Sequence, residues 1–171
     1  MDNNKDLSSA APLKILYICT HNRCRSALSE AITNQLGKGL LLAKSAGSSP
    51  AGEIHPLTLK YLTQAGYTTD GLTSNSWADS DYMGDFVPDV VITVCDNAAG
   101  ETCPLWLGNT PKLHWGLADP SKDTESTESD VQTVVDFAQT IKKIEARVER
   151  LKKIVLLPAD KQAKAFEQLT N

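Results

Sequence analysis

The sequence reads Cys19-Thr20-His21-Asn22-Arg23-Cys24-Arg25-Ser26 between an apolar run at residues 13–18 and a helix-like segment that begins at Ala27. A strand that leads through a short loop into a helix directs backbone N–H groups and the positive end of the helix dipole at one point, which suits an oxyanion. Cys19 ends the strand at that point, so its positive surroundings predict a lowered thiol pKa and a thiolate nucleophile. Arg25 can return across the loop as a two-pronged clamp for a tetrahedral anion. Ser26 is predicted to cap the helix or to donate a hydrogen bond to the thiolate.

A cysteine followed by five residues, an arginine and a serine, directly after a strand, resembles the phosphate loop of the low-molecular-weight tyrosine phosphatase superfamily. The superfamily also contains the thioredoxin-coupled arsenate reductases, and the loop residues alone do not separate the two activities. The resemblance implies that seven loop residues bind the substrate anion: Thr20, His21, Asn22, Arg23, Cys24, Arg25 and Ser26. The alternative is a buried strand-end cysteine beside an exposed arginine, which the complete strand–loop–helix context disfavours.

Length and charge limit the possible functions. A chain of 171 residues with 41% hydrophobic residues is long enough for one domain with its own core. A net charge of −4 argues against general binding to nucleic acid or anionic membranes, because such binding needs many Lys and Arg residues. No apolar stretch reaches the roughly 20 residues that span a bilayer, and residues 1–12 lack the pattern of an export signal. We therefore expect a cytoplasmic protein without a nucleic-acid or membrane partner.

Four cysteines in a chain without an export signal indicate catalysis, redox chemistry or metal binding rather than a disulfide scaffold. They are Cys19, Cys24, Cys95 and Cys103. Their spacings are not those of the tight cysteine pairs in zinc sites. We therefore expect no metal site built from these cysteines.

The apolar periodicity predicts an α/β fold with a central parallel sheet. Strands are indicated at residues 13–19, 40–47, 89–95 and 112–115. Helices are indicated at residues 26–36, 56–65, 131–157 and 159–169. On the long helix, one apolar stripe is expected to face the sheet through Val131, Val134, Val135, Ala138, Ile141, Ile144, Val148, Leu151 and Val155.

The same pattern predicts the domain organisation. Residues 1–12 are polar and aperiodic and indicate a flexible N-terminal leader. Residues 13–157 are predicted to form the single domain. Pro158 interrupts the helical pattern, so residues 158–171 are predicted to form a C-terminal helical extension.

Two further residues are expected close to Cys19. Cys95 ends a second buried strand, and the carboxyl ends of parallel strands meet at one edge of a sheet. Asp119-Pro120 follows the fourth strand at the same edge, where a carboxyl group can protonate the oxygen that leaves during attack on a phosphate-like centre. Cys19, Arg25 and Asp119 would together suffice to hydrolyse a phosphoester.

A longer likeness extends beyond the loop. Residues 94–104, with His114-Trp115-Gly116 and Asp119-Pro120, are similar to the redox segment of the arsenate reductases, so the resemblance spans about residues 13–120. It implies a four-stranded parallel sheet in the order 2-1-3-4 with helices on both faces. It also implies that Cys19 attacks arsenate, for which phosphate and sulfate compete, and that a disulfide then passes to Cys95 and Cys103.

The resemblance also implies what the enzyme needs from outside. A thioredoxin- or glutaredoxin-type reductant would recycle the outer disulfide, and no tightly bound cofactor is required. Cys95 and Cys103 stand one residue further apart than the outer cysteines of the best-known thioredoxin-linked reductases, which leaves the reductant open. Asn22, Glu30 and Ser45 match residues that in some members shape the loop or hold a potassium ion, but residues 73–79 offer no match for the remaining potassium ligands.

Two other functions stay open from the sequence. A low-molecular-weight phosphatase acting on phosphotyrosine would use Cys19, Arg25 and Asp119 and would leave Cys95 and Cys103 as ordinary small apolar residues. A redox-sensing or anion-binding module would bind without turnover. Reduction of arsenate to arsenite in arsenic detoxification is favoured because it gives a role to all of these residues.

Overall fold

Four parallel strands form the centre of the protein in a computed structural model, which describes residues 11–95, 110–122 and 130–169. The strands are β1 (Leu13–Ile18), β2 (Leu41–Ala46), β3 (Val90–Thr93) and β4 (Lys112–His114). Their order across the sheet is β2-β1-β3-β4, and all neighbouring pairs are parallel. The predicted fold class and strand order are therefore confirmed.

Five helices among the described residues connect and cover the strands. They are α1 (Arg25–Leu36), α2 (Pro56–Gln64), α3 (Ser80–Met83), α4 (Val131–Val155) and α5 (Ala159–Glu167). The ends of α1, α2, α4 and α5 lie within two residues of the predicted ones. None of the described helices combines the length and the apolar composition that crossing a membrane requires.

β1 occupies an interior position in the sheet, with both faces covered. Ile15, Leu16, Tyr17 and Ile18 are each at most 1% exposed, although successive side chains of a strand point to opposite faces. The Tyr17 hydroxyl remains hydrogen-bonded in the core, 2.7 Å from Oγ1 of Thr33 on α1. The unbroken apolar run of β1 thus reflects helices on both faces of the sheet.

The buried stripe of the long helix α4 agrees with the predicted one at Ile141, Ile144, Val148 and Leu151 and differs from it at the start of the helix. Val131, Val134 and Val135 are 81%, 46% and 40% exposed, and Ala138 is exposed too, so the prediction that these four face the core is wrong. The buried positions are Thr133, Phe137, Thr140, Ile141, Ile144, Val148, Leu151 and Ile154. Phe137 accounts for the difference at the start of the helix, because its fully buried ring stacks on Tyr61 of α2 with the ring centroids 4.6 Å apart.

The C-terminal helix α5 packs against the same core. Gln162 Nε2 donates a hydrogen bond to the Leu157 carbonyl at 3.0 Å, which holds the turn between α4 and α5. Leu169 is buried, and its carbonyl accepts a hydrogen bond from Trp115 Nε1 at 2.9 Å. The division into a domain at 13–157 and an extension at 158–171 stays a prediction, and most of the predicted leader lies outside the described residues.

β1 and β3 end side by side, and this determines where the two strand-end cysteines lie. Ile18 pairs with Thr93, and the Val94 N–H donates to the Ile18 carbonyl at 2.9 Å. Cys19 follows Ile18, and Cys95 follows Val94. The two cysteines therefore leave neighbouring strands at the same edge of the sheet, as predicted.

Gly47 offers a test of how closely β2 supports the loop after β1. A Cβ atom at Gly47 would overlap the carbonyl oxygens of Cys19 and Thr20. We expect Gly47→Ala to displace the start of the loop, to lower the free energy of unfolding by about 1–3 kcal/mol and to weaken oxyanion binding. Denaturant unfolding measures the change in stability. The degree to which added sulfate protects Cys19 from an alkylating reagent measures oxyanion binding.

The matched control is Gly39→Ala. Gly39 has a φ of +88° and open space around it, so an alanine there meets backbone strain of roughly 1–2 kcal/mol and no neighbour. We expect this variant to lose stability but to protect Cys19 as the wild type does. Wild-type sulfate protection in Gly47→Ala would contradict the prediction.

Candidate active site

The loop after β1 turns its carbonyl groups outward. Three carbonyls accept hydrogen bonds from outside the loop: Thr20 O from Ser49 N (2.9 Å), His21 O from Ala51 N (2.9 Å) and Ser74 Oγ (3.1 Å), and Arg23 O from His55 N (3.0 Å) and Thr58 Oγ1 (3.1 Å). In a trans peptide the N–H of the next residue points the opposite way, so the N–H groups of His21, Asn22 and Cys24 face inward. The loop therefore has the inward amides that an oxyanion site requires.

Asn22 ties the loop to its surroundings. It is fully buried with a φ of +47°, a left-handed conformation that asparagine tolerates better than most residues. Its Nδ2 donates to Ser26 Oγ and Ser45 Oγ, both at 2.9 Å, and its Oδ1 accepts from Asn75 N at 2.8 Å. The helix-capping role predicted for Ser26 is wrong, because the N-cap is Cys24 and the Ser26 hydroxyl accepts a hydrogen bond from Asn22.

Arg25 and Asp119 reach this loop from two elements. Arg25 is half-buried in the first turn of α1, and its Nη1 donates to the Leu117 carbonyl at 3.0 Å. Its guanidinium is close enough to act electrostatically on Cys19. Asp119 is half-buried two residues after Leu117, and its carboxyl group acts electrostatically on Cys24. The structure thus brings the predicted clamp and the predicted acid to the edge where the nucleophile lies.

The turn that carries Asp119 is locally ordered by hydrogen bonds. Asp119 Oδ1 accepts from Ser121 N at 2.9 Å and from Ser121 Oγ at 2.7 Å. Pro120, which lies between them, is buried and restricts the backbone. We call residues 115–119 the acid loop.

The thiols of Cys19 and Cys95 lie within hydrogen-bonding distance of each other. They are 5% and 3% exposed. The Thr20 hydroxyl also contacts the second sulfur, with 3.7 Å between Oγ1 and Cys95 Sγ. Two of the three cysteines predicted for the relay are therefore in contact, while Cys103 lies outside the described residues.

This contact changes the acidity of Cys19. The hydrogen bond with Cys95 and burial raise the pKa of Cys19 well above the ordinary thiol range, whereas the Arg25 charge and the His21 amide act in the opposite direction. The prediction of a lowered thiol pKa is wrong for this arrangement, because the loop sequence does not reveal a neighbouring thiol. Two thiols in contact titrate as a pair that holds its last proton strongly.

The side chains of His21, Cys24 and Arg23 differ in their exposure. His21 is exposed, with its Nδ1 3.2 Å from the Ser49 carbonyl. Cys24 is buried, and burial raises its pKa to about 12, which makes it an unreactive thiol. Arg23 is half-buried, and its carbonyl is bound by the first turn of α2. The binding role of His21 and Cys24 stays a prediction, and it would act through their inward amides.

Behind the loop lies a cluster formed by the buried Glu30 and Ser45 and the half-buried Tyr82. Glu30 Oε1 accepts hydrogen bonds from Ser45 N (2.8 Å), Ser45 Oγ (3.2 Å) and the Tyr82 hydroxyl (3.3 Å). Burial raises the pKa of Glu30 to about 7, although these hydrogen bonds and Lys44 act in the opposite direction. Lys44 Nζ lies 4.5 Å from the centroid of the Tyr82 ring.

A potassium site at Asn22, Glu30 and Ser45 stays a prediction, and these residues are hydrogen-bonded in this arrangement. The carboxylate oxygen of Glu30 and the hydroxyl of Ser45 are occupied by hydrogen bonds within the cluster, and Oδ1 of Asn22 accepts a backbone N–H. Within residues 11–95, 110–122 and 130–169, no group of three or more His, Cys, Asp or Glu side chains is arranged to hold a metal ion.

Residues 14–163 match the model of a protein family described as low molecular weight phosphotyrosine protein phosphatase. The chain belongs to this family. An arsenate reductase of Bacillus subtilis (strain 168) is 32% identical over 118 residues, which are 68% of this chain and 81% of that protein. A glutaredoxin arsenate reductase of Synechocystis is 27% identical over 141 residues, which are 81% of this chain and 95% of that protein.

A solved structure of the family shows the same likeness. The thioredoxin-dependent arsenate reductase of Corynebacterium glutamicum superposes with a TM-score of 0.61 at 26% identity. The match covers 86% of this chain and 63% of that protein, so this chain spans less than two thirds of its length. The resemblance inferred from the loop and the redox segment is thereby confirmed at the level of the family.

The sequence did not predict two residues that contact the site: Leu117, which binds Arg25, and Tyr82, which binds Glu30. Leu117 contributes only a backbone carbonyl, and Tyr82 lies in the short helix α3, which no apolar periodicity indicates, so neither carries a sequence signal.

The raised pKa of Glu30 predicts a pH-dependent stability. Between about pH 4.5 and pH 7 the folded protein keeps a Glu30 proton that the unfolded chain has lost, so stability from this group falls as pH rises and is lost above about pH 7. Glutamine stays neutral. We expect the unfolding free energy of Glu30→Gln, relative to wild type, to increase by about 2–3 kcal/mol from about pH 5 to about pH 8. Denaturant unfolding at several pH values measures this change. The exposed Glu149→Gln is the control, and parallel curves for Glu30→Gln and wild type would contradict the prediction.

The thiol contact predicts the acidity of Cys19. We expect Cys95→Ala to lower the pKa of Cys19, because it removes the largest cause of the raised value. Alkylation of Cys19 by iodoacetamide, followed by peptide mass spectrometry, should then begin at a lower pH than in wild type. Cys24→Ala is the control, since Cys24 is not among the groups that shift Cys19. A pH profile unchanged in Cys95→Ala would show that the contact does not govern the acidity.

Proposed function

We propose that this protein reduces arsenate to arsenite through a covalent Cys19 adduct and a disulfide relay. The observation that carries the proposal is the contact between the Cys19 and Cys95 thiols at the ends of β1 and β3. Hydrolysis needs a nucleophile, a clamp and an acid. A second thiol beside the nucleophile is needed only when two electrons must be supplied. Relatives named arsenate reductase support the same reaction.

The first step attaches arsenic to Cys19. Arsenate binds at the inward amides of the loop and beside Arg25. The Cys19–Cys95 pair loses one proton, and Arg25 and the His21 amide favour the resulting negative charge on Cys19. The Cys19 sulfur attacks arsenic, an As–O bond breaks, and a proton from Asp119 lets the oxygen leave as water. The product is a Cys19 thioester of arsenic in the +5 state.

The second step moves two electrons to arsenic. The Cys95 sulfur attacks the Cys19 sulfur, a disulfide forms, and the S–As bond breaks with its electron pair on arsenic. Arsenic leaves in the +3 state as arsenite and takes up the proton that Cys95 releases. The two thiols are oxidised as arsenic is reduced. The Thr20 hydroxyl, 3.7 Å from Cys95 Sγ, is suited to orient the attacking sulfur.

The third step restores the nucleophile. Cys103 attacks Cys95, so the disulfide moves to the pair of Cys95 and Cys103 and the Cys19 thiolate is released. Eight residue steps separate these two cysteines and span up to about 26 Å, so chain length permits the exchange. A dithiol reductant of the thioredoxin or glutaredoxin type then reduces the outer disulfide. Both types occur among the relatives, by their names.

Phosphoester hydrolysis is the family background of this site. Cys19, Arg25 and Asp119 are the groups that such hydrolysis uses, so we expect slow hydrolysis of aryl phosphates beside arsenate reduction. Hydrolysis gives no role to the thiol of Cys95.

We also propose that the protein is located in a reducing cytoplasm.

The decisive experiment measures arsenite formation and aryl phosphate hydrolysis in one set of variants. Arsenate is supplied with thioredoxin, its reductase and NADPH, or with glutaredoxin and glutathione. We expect Cys19→Ser to abolish both activities, because both need the nucleophile. Cys95→Ser and Cys103→Ser should stop repeated turnover of arsenate while hydrolysis of 4-nitrophenyl phosphate continues.

Cys24→Ala is the matched control, since Cys24 is a buried thiol of the same loop with no part in the relay. It should retain arsenate reduction. If Cys95→Ser and Cys103→Ser turned over arsenate as fast as wild type, the relay would be refuted. Hydrolysis without any arsenite formation in the wild type would instead favour the phosphatase.

A further inference from the structure

Arg147 on α4 contacts the start of the acid loop. Its Nη1 donates to the Trp115 carbonyl at 3.1 Å, and its Nη2 donates to the Gly116 carbonyl at 3.3 Å. The guanidinium also lies over the Trp115 ring, 5.4 Å from the ring centroid. A planar fork with several fixed donors suits two adjacent carbonyls better than a lysine does.

Arg147 binds the loop instead of a counter-charge. It is half-buried, and no carboxylate lies within salt-bridge distance of it among residues 11–95, 110–122 and 130–169. Burying a guanidinium without an acidic partner is costly, so its hydrogen bonds to the loop are the compensating interactions. Tyr17 and Arg150 are the ionisable neighbours that act on it electrostatically, and neither is acidic at neutral pH.

Arg25 also binds a carbonyl group of the acid loop. It binds the Leu117 carbonyl at 3.0 Å, so two arginines hold three consecutive carbonyl groups at residues 115–117. The amides of this segment are held as well, since Trp115 N donates to the Thr93 carbonyl at 2.7 Å and Leu117 N donates to the Val94 carbonyl at 3.0 Å.

The Trp115 ring is held at its edge too. Its Nε1 donates to the Leu169 carbonyl at 2.9 Å, and Leu169 lies beyond residues 14–163 that match the family model. The indole is 5% exposed. Trp115 is therefore a fixed support for the Arg147 guanidinium, and Asp119 follows four residues later.

We infer that Arg147 is a positioning residue, which holds the acid loop so that Asp119 can protonate the leaving oxygen. The inference rests on the proposed role of Asp119 as the proton donor. A general acid must lie within hydrogen-bond reach of the leaving oxygen, and a misplacement of about 1 Å can cost roughly a hundredfold in rate. Arg147 touches neither the anion nor Cys19, so it acts on proton transfer and not on anion binding.

The test compares leaving groups. Arg147→Met keeps an unbranched apolar stem but removes the fork. Hydrolysis of phenyl phosphate needs a protonated leaving group more than hydrolysis of 4-nitrophenyl phosphate does. We expect Arg147→Met to lose about tenfold to a hundredfold in kcat on phenyl phosphate and much less on 4-nitrophenyl phosphate. The inhibition constant for sulfate should stay at the wild-type value.

Asp119→Asn shows whether the effect passes through the acid. It should produce the same selective loss on phenyl phosphate, and adding Arg147→Met to it should cause no further loss. Arg150→Met is the control, because Arg150 is exposed on the same helix and should hydrolyse both esters as wild type does. Arg147→Lys keeps the charge without the fork and should show an intermediate loss if Arg147→Met does not fold.

A single-turnover reaction with arsenate separates this inference from the proposed function. Without external reductant, wild type should lose two thiols per chain on adding arsenate, and Arg147→Met should lose them more slowly. The positioning role would be overturned if Arg147→Met lowered kcat equally on both esters, or if its effect added to that of Asp119→Asn. Thiol loss in the wild type would in that case still uphold the reductase. Selective loss on phenyl phosphate without any thiol loss in wild type would refute the reductase and uphold the role of Arg147.

Discussion

The parallel pairing of β1 with β3 is the constraint on which the site depends. Ile18 and Thr93 are paired, and Val94 N bonds the Ile18 carbonyl, so the chain leaves both strands at the same level. A shift of this register by one residue would move every core side chain to the opposite face. Because β1 is buried on both faces, core packing holds the register. The contact between the two strand-end thiols is therefore a consequence of the packing of the sheet.

The anion loop is shaped from its outside. Inward amides leave outward carbonyls, and a buried carbonyl without a partner would be costly. The first turn of α2 and the backbone near residues 49–51 supply these partners, while Asn22 binds the loop to β2 and to the segment before α3. Glu30 supports the same cluster with a carboxyl group whose pKa burial raises to about 7. The acid loop is ordered in a similar way, by two arginines on its carbonyls.

The acidity of Cys19 separates the two chemistries of this family. A neighbouring thiol and burial raise its pKa, and the Arg25 charge and the His21 amide only oppose that change. For hydrolysis, such a neighbour makes the nucleophile harder to ionise and contributes nothing in return. For reduction, the Cys95 thiol supplies the second sulfur of the disulfide, and so it is needed beside Cys19. This requirement outweighs the loss of Cys19 acidity. The proposed function follows from this balance more than from the loop itself.

The sequence by itself determined the fold class, the element bounds to within two residues for four helices and four strands, and the edge at which Cys19, Cys95 and Asp119 lie. These features follow from local periodicity and from the rule that parallel strands end at one edge, so they are readable without distant contacts. Only the tertiary structure decided which side chains are buried at the start of α4, where Phe137 stacks on Tyr61 and the apolar valines are exposed. It also decided the raised pKa of Cys19 and the hydrogen bonds of Arg25 and Arg147 to the acid loop. Along the chain, Cys95 lies 76 positions from Cys19, Leu117 lies 92 positions from Arg25, and Trp115 lies 32 positions from Arg147. No local sequence pattern encodes contacts between residues so far apart.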